Sequence, residues 1–427
     1  MRKNSSDVFK GGNNMLSPKV RDTYEKLVAD ERVNRIYKFI ESDHENTVSE
    51  QIQLTEIPAP PFQEEIRAQD FKKRLQRLGL KNVKMDKEGN VFGVRPGIGN
   101  GPKLFVSAHL DTVFPEGTDT TVTDKGGKLY APGIGDDTRG LAEVLAIIRA
   151  LNASSISTIG DIIIGGTVGE EGAGDLRGVK AFFQENMVDG YISIDGPNMN
   201  VITYLGTGSY RYQITYKGSG GHSFADFGSP SATHGLGRAI AAIAQLETKA
   251  NPKTTFTVGE VRGGTSVNAI AQEASMLVDL RSNDQQELDK LDKAFLEIVR
   301  NACDEENRRW KSEDLTVEME RFGNRPPASQ PSDAVIVQAA WAAIESVDGD
   351  PRLGQPSSTD ANYPMSLEIP AITTGTGGNA GGAHTLEEWY DPTDGHRAIQ
   401  KSFTLILGLV GVKDVCEPLL PVIAKND

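Results

Sequence analysis

Residues 161–174 read DIIIGGTVGEEGAG and place two adjacent acids, Glu170 and Glu171, directly after an apolar run. The apolar run predicts a buried strand, and the glycines predict a sharp turn at its end. Adjacent acids are common on solvated helices. At the end of a core strand their repulsion costs free energy unless a positive charge lies nearby. We therefore expect a cation beside this pair.

The segments on both sides of this stretch alternate between predicted strands and helices. KLFVSAHLD (residues 103–111) and GYISIDGP (190–197) predict strands, and RGLAEVLAIIRALNA (139–153) predicts a helix. Such alternation is typical of a mainly parallel sheet covered by helices, so the predicted fold class is α/β. Near the N-terminus, the apolar spacing predicts a helix over residues 18–56.

The pattern changes near residue 207, where SYRYQITYKGS alternates polar and apolar residues as a one-sided antiparallel strand does. Further strands and two helices follow, and a proline-rich crossing, NRPPA, precedes renewed helix–strand alternation. We predict a discontinuous catalytic domain formed by residues 1–206 and 326–427. The predicted insertion, residues 207–325, is an α+β lid or dimerisation domain.

Composition limits the class of partner. The 427 residues carry a net charge of −14, which argues against nucleic acid or an anionic membrane surface as partner. No apolar run approaches the roughly 20 residues of a membrane span. The N-terminus has basic residues but no apolar run after them, unlike a secretory signal. Two cysteines make no disulfide framework, so we expect a reducing, cytoplasmic location.

Acids and histidines follow several of the predicted strands. Ligands of open α/β sheets bind at the carboxyl ends of strands, so these side chains should converge on one edge. Each motif alone has an ordinary explanation, such as a satisfied histidine, a helix cap or a solvated acid pair. Their combination carries the prediction, and its members are His109 with Asp111, Asp136 with Asp137, Glu170 with Glu171, Asp195 and His384.

So many acids in a partly dry site would repel one another unless cations were bound. Imidazole and carboxylate ligands without thiolate suit zinc, with cobalt or manganese as alternatives. We predict two Zn²⁺ per chain, each held by one histidine, one terminal carboxylate and a shared carboxylate, with a bridging hydroxide between them. In HLD, residues two apart in an extended chain point the same way, so the Asp111 carboxylate should orient the His109 ring. A single-metal hydrolase is the alternative.

Seven segments resemble the motifs of one superfamily and occur in its order between about residues 105 and 390. They are SAHLDTV, GIGDDTRG, GEEGAG, SIDGP, GSGGHSF, GGTSVNAIAQEASMLVDLRS and GGNAGGAHTLEEW. The superfamily is that of the di-zinc metallopeptidases, which includes tripeptidase T, the glutamate carboxypeptidases, aminoacylase, acetylornithine deacetylase and succinyl-diaminopimelate desuccinylase. The sequence is closest in style to the tripeptidase T-like members. Many relatives have lysine after the bridging acid pair, whereas Thr138 and Arg139 stand here.

The resemblance implies a role for each matching residue. Asp136 is the implied bridging carboxylate, Asp111 the residue that orients a ligand histidine, and Glu170 the general base. The implied terminal metal ligands are His109, Glu171, Asp195 and His384. The resemblance also implies a catalytic α/β domain with an inserted lid that often forms a homodimer.

The inserted domain carries two further candidates. The resemblance implies that His222 stabilises the oxyanion, often from the partner subunit, and that Asn268 contacts substrate across the same interface. From the residues alone, an ordinary turn histidine is the favoured interpretation of His222, and the resemblance reverses it.

Four residues are candidates for binding a substrate carboxylate. Arg281 and Arg325 carry the charge for it, although a surface or lid-stabilising arginine is an equal explanation. In the run from Gly375 to Gly382, Gly377 and Gly378 offer backbone N–H groups that can cradle an anion. The alternative there is a merely flexible loop.

The predicted function is zinc-dependent hydrolysis of amide bonds in small substrates by a di- or tripeptide aminopeptidase. The alternatives are an N-acyl amino acid deacylase or carboxypeptidase on the same site, and a non-catalytic binding protein on the same fold. The motif style favours a tripeptidase, while the arginines and the glycine run favour capture of a carboxylate. The sequence leaves this conflict open.

Overall fold

The computed structural model describes residues 15–423. Within that range no helix has both the length and the apolar character needed to cross a bilayer. Almost all of the basic N-terminal stretch that we compared with a secretory signal lies outside the described residues. The chain divides into two compact units. The first is formed by Met1–Leu205 together with Ser329–Asp427, and the second by Gly206–Ala328.

The strands and helices are numbered in chain order. The strands are β1 Lys81–Met85, β2 Val91–Arg95, β3 Lys103–His109, β4 Thr123–Lys125, β5 Lys128–Tyr130, β6 Asp161–Thr167, β7 Gly190–Ile194, β8 Val201–Thr203, β9 Leu205–Gly206, β10 Gly208–Lys217, β11 Gly221–His222, β12 Thr254–Gly263, β13 Ala269–Ile270, β14 Glu273–Ser282, β15 Thr316–Arg325, β16 Ala328–Ser329, β17 Arg352–Leu353, β18 Ala371–Thr374, β19 Asn379–Gly381 and β20 Trp389–Asp391. The helices are α1 Pro18–Ala29, α2 Glu31–Ser42, α3 His44–Thr55, α4 Glu65–Arg77, α5 Thr138–Ala153, α6 Arg177–Glu185, α7 Ala232–Ile243, α8 Gln285–Trp310, α9 Val335–Ser346, α10 Asn362–Ser366 and α11 His396–Val410.

The first unit is built on an eight-stranded sheet in the order β1-β2-β6-β3-β7-β18-β8-β17. Its four central strands, β6, β3, β7 and β18, are mutually parallel. All five residues of β7 and all four of β18 are buried, as expected when helices cover both faces of a sheet. This arrangement confirms the predicted α/β class.

The two faces of this sheet carry different cores because successive strand residues point to opposite sides. On one face, Val106, Ile164 and Ile192 belong to a large aliphatic cluster with residues of α5 and α11. On the other face, the ring of Phe105 stacks on that of Phe182 from α6, with centroids 3.8 Å apart. Burial on both sides fixes the register of the central strands and therefore the positions of the residues that follow them.

The N-terminal helical segment differs from the prediction. Residues 18–56 form three helices, α1 to α3, where the apolar spacing predicted one. The side chain of Asp30 accepts a hydrogen bond from the backbone N–H of Arg32 at 2.7 Å and so caps the start of α2. Asp43 is the residue between α2 and α3, but its side chain makes no capping hydrogen bond to the backbone of α3. Acidic residues at the boundaries, which the helical spacing alone does not reveal, separate the helices.

The second unit has an antiparallel sheet in the order β12-β14-β10-β15, with α7 and α8 packed against it. Leu280 and Phe295 lie in its buried core. The hydroxyl of Tyr216 in β10 donates a hydrogen bond to the backbone carbonyl of Val299 in α8 at 2.7 Å. This unit therefore has its own core and its own sheet.

Candidate metal centre

The carboxyl ends of the four central strands place the predicted ligands at one edge of the sheet. Strand β3 ends at His109, which lies beside Thr167 at the end of β6. Strand β7 ends one residue before Asp195, and its last residue pairs with Thr374 at the end of β18. The acids after β6 and the loop after β18 are thereby brought to the same edge as His109.

Asp136 lies between the two candidate ligand histidines. Its Oδ1 is 2.9 Å from Nε2 of His109, and its Oδ2 is 3.1 Å from Nε2 of His384. The same Nε2 of His384 is 2.8 Å from Oε1 of Glu171. One carboxylate thus presents one oxygen to each imidazole, as a shared ligand of two cations would.

Two overlapping groups of ligand atoms meet at Asp136. One consists of His109, Asp136 and Asp195, the other of Asp136, Glu171 and His384, and in each the ligand atoms lie within 4.8 Å of one another. Glu170 forms a further group with His109 and Glu171. Imidazole nitrogen and carboxylate oxygen without sulfur is a donor set that fits zinc, cobalt or manganese. The residues therefore fit two divalent cations that share Asp136.

Burial and hydrogen bonding shift the pKa values of acids and histidines in this cluster. Burial, together with the neighbouring carboxylate of Asp136, raises the pKa of Asp195 to about 7. Hydrogen bonds to Asp136 and Glu171 raise the pKa of His384 to about 10. Divalent cations would displace these protons and hold the carboxylates ionised, so the cluster is chemically suited to bind them.

Asp111 acts on the site differently from the prediction. Nδ1 of His109 is 2.9 Å from the backbone carbonyl oxygen of Asp111 but 3.7 Å from its carboxylate. A carbonyl only accepts, so Nδ1 carries a proton, and Nε2 is the ring nitrogen that faces Asp136 and would be free to bind a cation. The Asp111 carboxylate instead accepts the backbone N–H groups of Glu170 at 3.1 Å and Glu171 at 2.9 Å. Asp111 therefore fixes the ring through its backbone and the acid pair through its side chain.

Two buried acids that the sequence analysis gave no role hold the turn around Asp136. Glu388 accepts the backbone N–H groups of Gly133, Gly135 and Asp136 at 2.8, 2.8 and 2.9 Å. Burial raises its pKa to about 7, although these three donors oppose the shift. Asp137 caps α5 through Gly140 and accepts the backbone N–H of His109 at 3.0 Å. Both lie in segments quoted above, but only their long-range contacts reveal what they do.

The glycine run after β18 is tightly packed rather than a loose loop. A side chain on Gly375 would collide with the backbone of Asn198, and one on Gly378 with the hydroxyl of Tyr390. Gly377 and Gly378 have φ values of +68° and +70°, a region that favours glycine. Both line a cavity of about 500 Å³ together with Asn198 and Arg397.

In the second unit, the structure brings His222 and Asn268 close together. Strand β11 pairs with β13 so that His222 lies opposite Ala269, the neighbour of Asn268. Nδ1 of the exposed His222 accepts the backbone N–H groups of Phe224 and Ala225, both at 3.2 Å. Nδ1 is therefore unprotonated in the neutral ring, and the proton lies on Nε2, which is a donor.

The two predicted carboxylate-binding arginines share one face of the second unit's sheet. Arg281 and Arg325 both lie opposite Ser209 in the strand register. Arg211, two residues further along the same face, is a third arginine that the sequence analysis missed. Nε of Arg211 is 3.1 Å from Asp279, which also accepts from Arg281 at 2.5 Å. Arg325 is buried, whereas the Arg281 side chain is 40% exposed.

The shared position of Asp136 yields a prediction about metal content. Asp136→Asn should reduce metal from two cations per chain to less than one, because the carboxamide removes a charged oxygen from both groups. Asp195→Asn, which touches one group only, should retain about one cation. Elemental analysis after dialysis measures both, with the surface variant Asp22→Asn as control. Full retention of two cations by Asp136→Asn would remove Asp136 from the bridging position.

Comparisons with known proteins show the family and the fold of the chain. The sequence pattern of peptidase family M20/M25/M40 matches residues 105–407. A protein of Staphylococcus epidermidis described as a probable succinyl-diaminopimelate desuccinylase is 31% identical over 135 residues, which cover 30% of this chain and 33% of that protein. The match thus spans about a third of the length of this curated relative.

Solved structures share the fold. Aminopeptidase PepT from Bacillus cereus is similar with a TM-score of 0.69 and 21% identity, covering 85% of this chain and 98% of that one. The YxeP protein of Bacillus subtilis, described as a dinuclear metal binding peptidase, has a TM-score of 0.65 at 16% identity and covers 87% and 99%. Because the family pattern covers well over half of the sequence, the chain belongs to peptidase family M20/M25/M40, a family of hydrolases that act on peptide and other amide bonds.

Proposed function

We propose that this chain is a metal-dependent exopeptidase that hydrolyses amide bonds in small peptides. Di- and tripeptides are the proposed substrates. The observation that carries the proposal is the position of Asp136 between two groups of ligand atoms, together with the buried Glu170, which forms a third group with His109 and Glu171. A binding protein has no need for a buried carboxylate such as that of Glu170 beside its metal ligands, whereas a hydrolase needs a general base there.

The five ligands in this proposal are His109, Glu171, Asp195 and His384 as terminal ligands and Asp136 as the shared one. When bound, two divalent cations supply a Lewis acid for the scissile carbonyl and lower the pKa of a water molecule. Zinc is our first choice, because the donor set suits it, with cobalt or manganese as alternatives. The buried His109 holds its lone pair toward the site through the backbone carbonyl of Asp111.

Glu170 is the proposed general base. Its backbone is held by the Asp111 carboxylate, and only 5% of the residue is exposed. A base in this position takes a proton from the attacking water and passes it to the nitrogen of the leaving amine. Burial also keeps bulk water from competing for that proton.

His222 is the proposed donor to the substrate oxygen that becomes negatively charged. The supporting observation is its tautomer, since Nδ1 accepts two backbone N–H groups and leaves Nε2–H to donate. Asn268, next to it across the β11–β13 pair, is the proposed second contact to substrate.

Two features support binding of a substrate carboxylate. The backbone at Gly377 and Gly378 lines a polar cavity, and Arg281 and Arg325 lie with Arg211 on one sheet face. Small peptides present a free carboxylate, and so do the substrates of the alternative, an N-acyl amino acid deacylase or carboxypeptidase. The likeness to a desuccinylase favours that alternative, and the likeness to PepT favours the aminopeptidase. Turnover of matched dipeptides, tripeptides and N-acyl amino acids separates the two.

We also propose that the protein is a cytoplasmic homodimer formed through the second unit. Strand β12 is an edge of that unit's sheet, and Phe224, Phe227 and Val267 are exposed apolar residues of the same unit. An unpaired strand edge and exposed apolar side chains both favour association with a second chain. Sedimentation at several protein concentrations checks this, and a monomer at all of them would exclude it.

Glu170→Gln tests the base. Because glutamine accepts no proton, kcat should fall on the order of 10²–10⁴-fold while two cations per chain remain bound. Steady-state kinetics with a dipeptide and elemental analysis of the same sample measure both quantities. The exposed Glu185→Gln serves as control. A rate close to that of the wild type would exclude Glu170 as the base, and loss of metal would make it a ligand instead.

His222→Ala tests the oxyanion donor. Its kcat should fall on the order of 10²–10³-fold, as when one such donor is lost. The matched control is His234→Ala, which removes another exposed histidine of the same unit and should leave kcat unchanged. A change in KM alone would assign His222 to substrate binding rather than to stabilisation of the developing charge.

A further inference from the structure

Two buried cations lie beneath the glycine run and outside the metal centre. Arg139 is the second residue of α5 and is 0% exposed, and Lys401 lies in α11 and is 1% exposed. Buried arginine and lysine side chains are rare and costly, because each loses its hydration. Such a pair therefore calls for specific partners.

Their partners are backbone carbonyls of the glycine run and of the next loop. Nζ of Lys401 donates to the carbonyl oxygen of Gly375 at 2.7 Å and to the hydroxyl of Thr374 at 2.8 Å. Arg139 donates to the carbonyl oxygen of Gly395 at 2.9 Å and, at a longer 3.4 Å, to that of Thr376. The two side chains thus hold successive carbonyls, those of Gly375 and Thr376, toward the interior.

The same side chains hold the walls around the loop. The guanidinium of Arg139 lies over the ring of Tyr390, 5.3 Å from its centroid, and the Tyr390 hydroxyl closes the space next to Gly378. Glu143, one turn along α5, is the buried acid that raises the pKa of Lys401, although burial lowers it to about 8 overall. Two cations and one acid leave a net positive charge behind the loop.

The opposite side of the loop faces the cavity of about 500 Å³. Among residues 15–423, the backbone N–H groups of Gly377 and Gly378 donate no hydrogen bond to a protein acceptor. Carbonyls fixed inward, unsatisfied N–H groups along a cavity wall and a positive charge behind them are together the features that an anion site requires.

We propose that Arg139 and Lys401 are positioning residues that hold the glycine run, so that the N–H groups of Gly377 and Gly378 bind the carboxylate of the substrate. This inference rests on the proposed function for the identity of the anion. Neither residue touches the substrate or the metal ligands. Each acts through the backbone that it holds.

The test uses the variants Lys401→Met and Arg139→Met. Each removes one of the two buried cations and leaves the other together with the buried acid Glu143. If one of them fails to fold, the other still carries the test. Ser402→Ala is the matched control, because Ser402 neighbours Lys401 and its hydroxyl donates to Glu143 at 2.7 Å rather than to the glycine run. All variants should keep the metal content of the wild type.

The first measurement is amide hydrogen exchange of residues 375–382 in the metal-loaded protein, where the N–H of Thr376 is hydrogen-bonded to the carbonyl oxygen of Gly196 and so reports opening of the loop. Exchange there should be about tenfold or more faster in both methionine variants than in the wild type, while α5 and α11 keep their protection. Exchange in the Ser402→Ala control should match the wild type. Unchanged loop exchange in both methionine variants would overturn the positioning role.

The second measurement compares a dipeptide with its C-terminal amide. In the methionine variants, KM for the free acid should rise about tenfold, as expected for loss of a charge-assisted hydrogen bond, with kcat nearly unchanged and KM for the amide unaffected. Equal increases for both peptides would overturn carboxylate binding. If the wild type cleaves neither peptide, the proposed function fails, and loop exchange alone decides whether Arg139 and Lys401 position the loop.

Discussion

The site depends on one carboxylate that faces two imidazoles. Asp136 presents one oxygen to His109 and the other to His384, and hydrogen bonds to the turn that carries it hold it in this position. Glu388, which is distant from the turn in sequence, holds it by accepting three of its backbone N–H groups. A carboxylate that is shared by two cations must be placed accurately. A shift of Asp136 by a fraction of an ångström would weaken both candidate cation sites at once.

The parallel sheet provides the other constraint. Four adjacent parallel strands end at one edge, and burial of both faces fixes their register, so that residues far apart in sequence meet there. The apolar runs and the acids and histidines after them are visible in the sequence. For this reason the α/β class, the family and the set of residues that the structure brings together could be predicted from residues such as His109, Glu171 and Asp195.

The sequence did not reveal the roles of residues that act through contacts with distant parts of the chain. Glu388 looks like an ordinary acid in a loop, the sequence around Asp137 does not show which backbone N–H groups it accepts, and Lys401 looks like one of many lysines on a helix. Their burial depends on which helix and loop pack over them, and local periodicity does not contain that information. Asp111 differs from the prediction because its carboxylate accepts the backbone N–H groups of Glu170 and Glu171. Its backbone carbonyl is therefore the group that meets His109. Arg211 was missed because a strand arginine looks solvent-exposed until the cross-strand register is known.

The most direct test of the central claim is anomalous diffraction from crystals of the zinc-loaded protein. The account predicts two zinc peaks per chain about 3.5–4 Å apart, one next to His109 and Asp195 and the other next to Glu171 and His384, with Asp136 between them. A single peak, or two peaks of which only one contacts Asp136, would contradict it.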